Sequence, residues 1–330
     1  MAITSNEKVL TLDWWKPAHK LKVGDYVFDR LGRITQIKLV QQYHVEKCYQ
    51  VVFDDHLTLS GDSKLGFPIE DLKYRKRLDT YKGKFKFKRP LKRIVVSDFL
   101  ILPLKSKRNR LVYSVPTAHP LQLPHQDLPV PPFIFGYWFF NRTPTKRLTL
   151  YIDKQEEIIQ KFKDCGYKVI LSNKQSQLKQ YFSVVPSIES QLVPNIPSVV
   201  TNNYILSAPE QRIDLLSGII EAKKAQYNPK KDVFRVTSKN LPTIVRIQSL
   251  VESLGIRTNV LQNEIINNYS LFFKSRHRLV SNQVSAPVKV HHARRYITKI
   301  NTIPAQMCIH IETTSKDSTI LVGEGFIPCH

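Results

Sequence analysis

The chain has 330 residues, enough for two domains or one elaborated one, and 42% of them are hydrophobic, ample for packed cores at a mean hydropathy of −0.27. No run of about 18 apolar residues occurs, and the first residues lack a basic stretch followed by an apolar core, so a cytoplasmic chain with no membrane partner is expected. The net charge of +23 makes nucleic acid the leading partner class, and four cysteines without a paired CxxC spacing argue against a structural zinc site or a disulfide framework.

In chain order, residues 9–12, 26–29, 33–43 and 48–54 are short β-rich runs separated by turn signals such as Leu31-Gly32, and the last leads into Leu57-Thr58-Leu59. Many short strands without a long helical period predict an all-β module. Residues 73–110 form a basic region. Between Lys73 and Arg93 eleven Lys or Arg face a single acid, Asp79, and Lys84-Phe85-Lys86-Phe87-Lys88 alternates strictly. Alternation puts lysines on one strand face and aromatics on the other. A solvated edge strand would look the same, but a cationic stripe of Lys82, Lys84, Lys86, Lys88, Arg89, Lys92 and Arg93 also suits contact with DNA phosphates. A further strand is expected over residues 98–103, and the Pro-rich segment 116–132 reads as a linker.

From residue 133 the pattern turns helical. An apolar helix over 133–143 precedes a strand at 147–152 and an amphipathic helix from Lys154 that stops at Gly166. The order recurs as a helix over 212–224, a strand over 233–237 and a helix over 241–254 closed by Gly255. This predicts an internal duplication of roughly 80 residues with the two apolar helices paired at its centre. The final run, Val322-Gly323-Glu324-Gly325-Phe326-Ile327-Pro328-Cys329-His330, reads by itself as a short terminal strand.

Read with Lys8-Val9-Leu10-Thr11 and Leu21-Lys22-Val23-Gly24-Asp25, this C-terminal Gly-Phe-Ile-Pro-Cys-His resembles the two ends of an intein, a self-excising protein domain. Leu215-Leu216-Ser217-Gly218-Ile219-Ile220-Glu221-Ala222 and the segments after it resemble the LAGLIDADG homing endonucleases, which are commonly inserted in inteins. The resemblance implies a mixed fold: an all-β Hint horseshoe, 2–115 and 283–330, split by an α+β duplicated LAGLIDADG-type domain at 133–282. It implies flanking host segments (exteins) and duplex DNA as partners, a monomer, and a compartment that follows the host protein.

The splicing chemistry needs no cofactor. The family spacing puts its first nucleophile at Ala2, and alanine has none to offer; it is either an introduced replacement or the mark of a naturally inactive or differently acting member. Ser60 fits the threonine of the family's Thr-x-x-His element, while Ser63 stands where its histidine is expected. A hydroxyl can hydrogen-bond the scissile amide but is no acid near pH 7, and Asp62 or His56 could substitute. His310 falls at the position that couples the first and last steps, on one strand face with Cys308 and Glu312. His330 matches the histidine that activates the terminal asparagine, which does not follow it here. In the endonuclease family the last acidic residue of each central helix holds Mg²⁺; the alignment places Asn141 and Lys223 there, with Glu221 one turn short. An amide and an ammonium are unsuited to Mg²⁺, so an inactive nuclease that still binds DNA is expected, and Mg²⁺ would matter only if it were active. The alternative is a DNA-binding protein or site-specific homing endonuclease in which the Hint part is a scaffold.

Overall fold

The computed structural model describes residues 2–80, 91–141, 148–151, 155–176, 179–192, 200–222, 225–264, 267–275, 277–280 and 294–330. A large antiparallel sheet and a set of helices give a mixed fold. The chain divides into two compact units, the first made of Met1–Gln122, Glu252–Arg257 and Ala286–His330, the second of Leu123–Val251 and Thr258–Ser285.

In the first unit twelve strands, among the described residues, share one sheet. Its path runs Ser114–Pro116, Arg294–Ile303, Cys48–Phe53, Thr58–Gly61, Ala2–Thr4, Gln306–Thr313, Ile34–Val45, Tyr26–Phe28, Lys8–Thr11, Ile320–Val322 and Ile327–Cys329, with Trp14–Pro17 hung on Lys8–Thr11. The strands form where β-branched and aromatic residues alternate with polar ones. In Cys48–Phe53 and Gln306–Thr313 every second side chain, Val51, Phe53, Ile309 and Ile311 among them, enters a single core with Ile3, Leu59 and Val322. The last residue of the path returns to the Gly66–Ile69 strand: the His330 N–H donates to the Gly66 carbonyl at 2.8 Å, and the Gly66 N–H donates to the His330 carbonyl at 3.2 Å.

Two expectations are corrected in this unit. The terminal run is a hairpin of Ile320–Val322 and Ile327–Cys329, not one strand, because residues 323–326 turn back and set Val322 against Ile327. Residues 98–103 are no strand. Val96–Phe99 is a helical turn whose Asp98 carboxylate accepts from the Val95 N–H at 3.1 Å, and Ile101 beyond it is 87% exposed, so the apolar run after Phe99 meets no core. In the Pro-rich segment Ala118, Leu121, Leu123 and Val130 are buried, the Leu121 N–H donates to the Ser253 carbonyl, and the boundary between units falls after Gln122. Arg75, one of the eleven Lys or Arg counted above, is a buried staple. Its guanidinium donates to the carbonyls of Glu70, Leu111 and Val112 and to the Ser114 hydroxyl, from a helix over Leu72–Thr80.

The second unit holds two helices, Pro132–Asn141 and Pro209–Glu221, in close contact. A Cβ at Gly136 would lie 2.4 Å from the Leu215 carbonyl oxygen, and one at Gly218 would lie 2.1 Å from that of Phe133. Each glycine thus meets the carbonyl three residues before the other, a two-fold relation that only side-chain-free positions permit. After the first helix come Leu148–Tyr151, the helix Gln155–Asp164 and a hairpin of Lys168–Ser176 with Lys179–Val185. After the second come Ala225–Asn228 and Val233–Ser238, the helix Leu241–Ser253 and a hairpin of Thr258–Asn263 with Asn268–Phe273. The order is that of a duplication. Among the described residues no helix is long and apolar enough to cross a membrane.

Candidate active site

The Ala2–Thr4 strand lies between Gln306–Thr313 and Thr58–Gly61, held there by the fully buried Ile3. Ala2 is opposite His310, Ile3 opposite Ile309 and Thr4 opposite Cys308, while on the other edge Ile3 is opposite Gly61. The Ala2 carbonyl accepts from the Asp62 N–H at 3.3 Å. In an antiparallel ladder the N–H and C=O of one residue point to the same edge, so the Ala2 amide nitrogen also faces Asp62. Gly61 is required for this approach, since a Cβ there would stand 2.4 Å from the Ala2 oxygen. The Ala2 methyl is buried with Cys48 and Cys308, against which Tyr43, Val45 and Ile303 pack.

Asp62 is 5% exposed and fully engaged. The Tyr43 hydroxyl donates to its Oδ2 at 2.8 Å, and the Lys64 N–H donates to its Oδ1 at 2.9 Å. Burial, then the bond to Asp62, pushes the Tyr43 phenol well above its ordinary value. The Cys308 thiol is pushed up to about 12 by burial and by Cys48, whose sulfur is 3.7 Å away. The Ser60 N–H donates to Glu7 Oε1 at 2.7 Å; burial raises the Glu7 carboxyl and its bonds to Ser60 oppose this. Ser63 takes part through its backbone, its carbonyl accepting from the Ser97 N–H at 3.0 Å. His56 is an exposed turn residue with φ of 66°. His310 is half-buried, its Nε2 3.1 Å from Glu312 Oε1, as two residues on one strand face allow.

The other chain end reaches the same turn. Val9 pairs with Val322, the Gly323 N–H donates to the Lys8 carbonyl at 2.8 Å, and Lys8 Nζ sits 2.7 Å from Glu324 Oε1. Behind them His330 bonds both polar backbone groups of Gly66. Residues 62–66 therefore hold Ala2 at one end and His330 at the other. Burial, then the neighbouring Arg93 guanidinium, lowers the His330 imidazole to about 4, so it is neutral at pH 7. Arg93 lies in Lys92–Val95, paired with Gly66–Ile69, and its Nε is 3.0 Å from where a Gly66 Cβ would be. The register sets Arg93 opposite Pro68, and its side chain is exposed. Lys92 is exposed, 3.9 Å from Asp71. Lys82, Lys84, Lys86, Lys88 and Arg89 lie outside the described residues.

In the second unit Asn141 ends the first central helix and Glu221 the second; both are buried. Lys223 lies outside the described residues. In sequence, Asn141 comes five residues after Gly136, as Lys223 does after Gly218. Among the described residues no three His, Cys, Asp or Glu side chains cluster to hold a metal. The Mg²⁺ of the endonuclease chemistry does not fit an amide here, which offers one neutral oxygen where a hard dication needs carboxylates. Sequence reasoning missed Tyr43, Glu7 and Gly61. A tyrosine within a strand and a glutamate within a turn carry no signal until their partners, 19 and 53 residues away, are placed.

No family model and no curated protein matches the sequence. Among solved structures the chain is similar to the gp41-1 intein, at 17% identity over 34% of this chain and 73% of that one with a TM-score of 0.23. It is similar to the MchDnaB-1 intein at 20% identity over 21% of this chain with a TM-score of 0.20, and spans 53% of that intein's length. It is also similar to a variant of I-DmoI in complex with its target DNA in the presence of manganese, at 11% identity over 44% of this chain and 87% of that one with a TM-score of 0.30.

Proposed function

We propose that the chain is an intein, with a Hint splicing module in the first unit and a degenerate LAGLIDADG-type module in the second. The observation that carries this reading is the 62–66 turn, bonded through Asp62 to Ala2 and through Gly66 to His330. A turn that holds Ala2 and His330, the residues expected at the two junctions, suits a reaction that cuts at both and joins the flanking segments. At the first junction a thiol or hydroxyl at position 2 attacks the preceding carbonyl and turns an amide into a thioester or ester. His310, across the strand from position 2, is suited to couple this step to the last one. At the second junction the neutral His330 serves as base toward the side-chain amide of an asparagine after it, whose cyclisation cuts the chain. With Ala2 in place the first step has no nucleophile, so the sequence as it stands is disabled.

The test restores Ala2→Cys, adds Asn and then Cys after His330, and flanks the chain with two short reporter segments. The expected outcome is a ligated reporter product on a gel. Intact precursor across pH 6–9 with reductant present would sink the proposal.

A second reading, DNA binding with the splicing fold as scaffold, is favoured by a surface cleft in the first unit. Leu72, Lys76, Ser106, Lys107, Arg108 and Arg110 line it. Four cations around one cleft suit a phosphate backbone.

A further inference from the structure

We infer that Tyr43 is a positioning residue for the first junction, holding the Asp62 carboxylate as the proton carrier that takes the place of the histidine absent at position 63. This rests on the splicing reading and names a group that reading does not.

Three observations carry it. The Ala2 carbonyl is bonded to the Asp62 N–H, which aims the Ala2 amide nitrogen, the leaving group of the first step, at the edge where Asp62 sits. The Tyr43 hydroxyl donates to one oxygen of Asp62 at 2.8 Å while the Lys64 N–H holds the other at 2.9 Å, so the buried carboxylate has a fixed orientation. Tyr43 also packs on the small cluster of Ala2, Cys48 and Cys308, opposite Cys308 in the register of Ile34–Val45 with Gln306–Thr313. It therefore packs on the cluster that holds the nucleophile position and bonds the proton carrier. The titratable groups around Asp62 are Tyr43 from Ile34–Val45, Cys48 from Cys48–Phe53 and Cys308 from Gln306–Thr313, with His310 across from Ala2.

The step balances. With a cysteine at position 2, its sulfur bonds the carbonyl carbon of the preceding residue as the C–N bond to residue 2 breaks. The Asp62 carboxylate accepts the thiol proton and delivers it to the departing nitrogen, which becomes the α-amine of residue 2. Asp62 ends as it began, and Tyr43 keeps its own proton throughout.

The experiment uses the full chain carrying Ala2→Cys with a reporter peptide joined ahead of residue 2. Release of the reporter by dithiothreitol is followed from pH 5 to 9. Tyr43→Phe should slow release by roughly 10-fold at pH 7, and should move the acidic limb of the profile to higher pH, because a carboxylate that loses a donor protonates more readily. Asp62→Asn should abolish that limb. Where Tyr43→Phe does not fold, 3-fluorotyrosine at position 43 keeps the shape but is a stronger donor, and should move the limb to lower pH. Release within twofold of the parent with the limb unmoved in either tyrosine variant overturns the assignment of Tyr43 alone. No release from the Ala2→Cys parent overturns the splicing reading and this assignment with it.

Discussion

At the scale of single residues, His330 is the group whose environment departs most usefully from that of a free side chain. Its folded value of about 4 lies below the unfolded value of 6.5, so between those values the unfolded chain binds a proton that the folded chain does not. Stability is then fully present above about pH 6.5 and is lost as pH falls toward 4, by about 2 kcal/mol once the partial exposure of the ring is allowed for. His330→Gln keeps a planar polar side chain without the titration. Urea unfolding at about pH 7.5 and pH 4.5 should therefore show a smaller drop for the variant than for the parent, and equal drops would assign the titration to other groups. Ala2, Ser60, Asp62, Ser63 and His330 could be named as candidates from the sequence because each lies within a few residues of an end or of one turn. Tyr43 could not. Its role exists only in a register, set by Cys308, that pairs residues 265 positions apart.

At the scale of elements, the apolar pattern of residues 133–143 and 212–224 was enough to read two paired helices, but it gave no reason why they approach so closely. That reason is the glycine pair. A methyl at position 218 would meet the Phe133 carbonyl at 2.1 Å, inside any tolerable contact, and backbone cannot swing aside as a side-chain tip can. Gly218→Ala should therefore cost roughly 2–4 kcal/mol through forced separation of the helices, more than the helix propensity of alanine returns. Chemical denaturation of the variant measures this, and a stabilised variant would mean that the crossing is looser than described. The misread strand at 98–103 has the opposite lesson. A short apolar run was present, but Asp98 could bond the Val95 N–H and close a helical turn, a local competition that a pattern of hydrophobicity does not register.

At the scale of the whole molecule, the net charge of +23 was legible from composition, but composition did not separate cations that hold the fold from cations that face solvent. Arg75 and Arg295 belong to the first kind: Arg295 is buried between Asp55 and Glu252 at 2.7 Å each, and Arg75 is spent on backbone carbonyls. Lys76, Lys107, Arg108 and Arg110 belong to the second, gathered around one cleft. Each phosphate contact releases condensed counterions and adds about 0.9 to the slope of log K against log salt. The triple change Lys107→Gln, Arg108→Gln and Arg110→Gln should then weaken binding to duplex DNA uniformly across sequences and lower that slope by roughly 2 to 3, read from mobility shifts between about 50 and 200 mM salt. A change at Arg75 could not make this distinction, because it would disturb the fold before it touched a phosphate. Should the triple variant keep the parent's slope, the cleft makes no phosphate contact. Should the parent cut its DNA once Mg²⁺ is added, Asn141 and Lys223 cannot be the positions that decide cleavage, and the inactive-nuclease part of the proposal falls while the splicing part stands on the 62–66 turn.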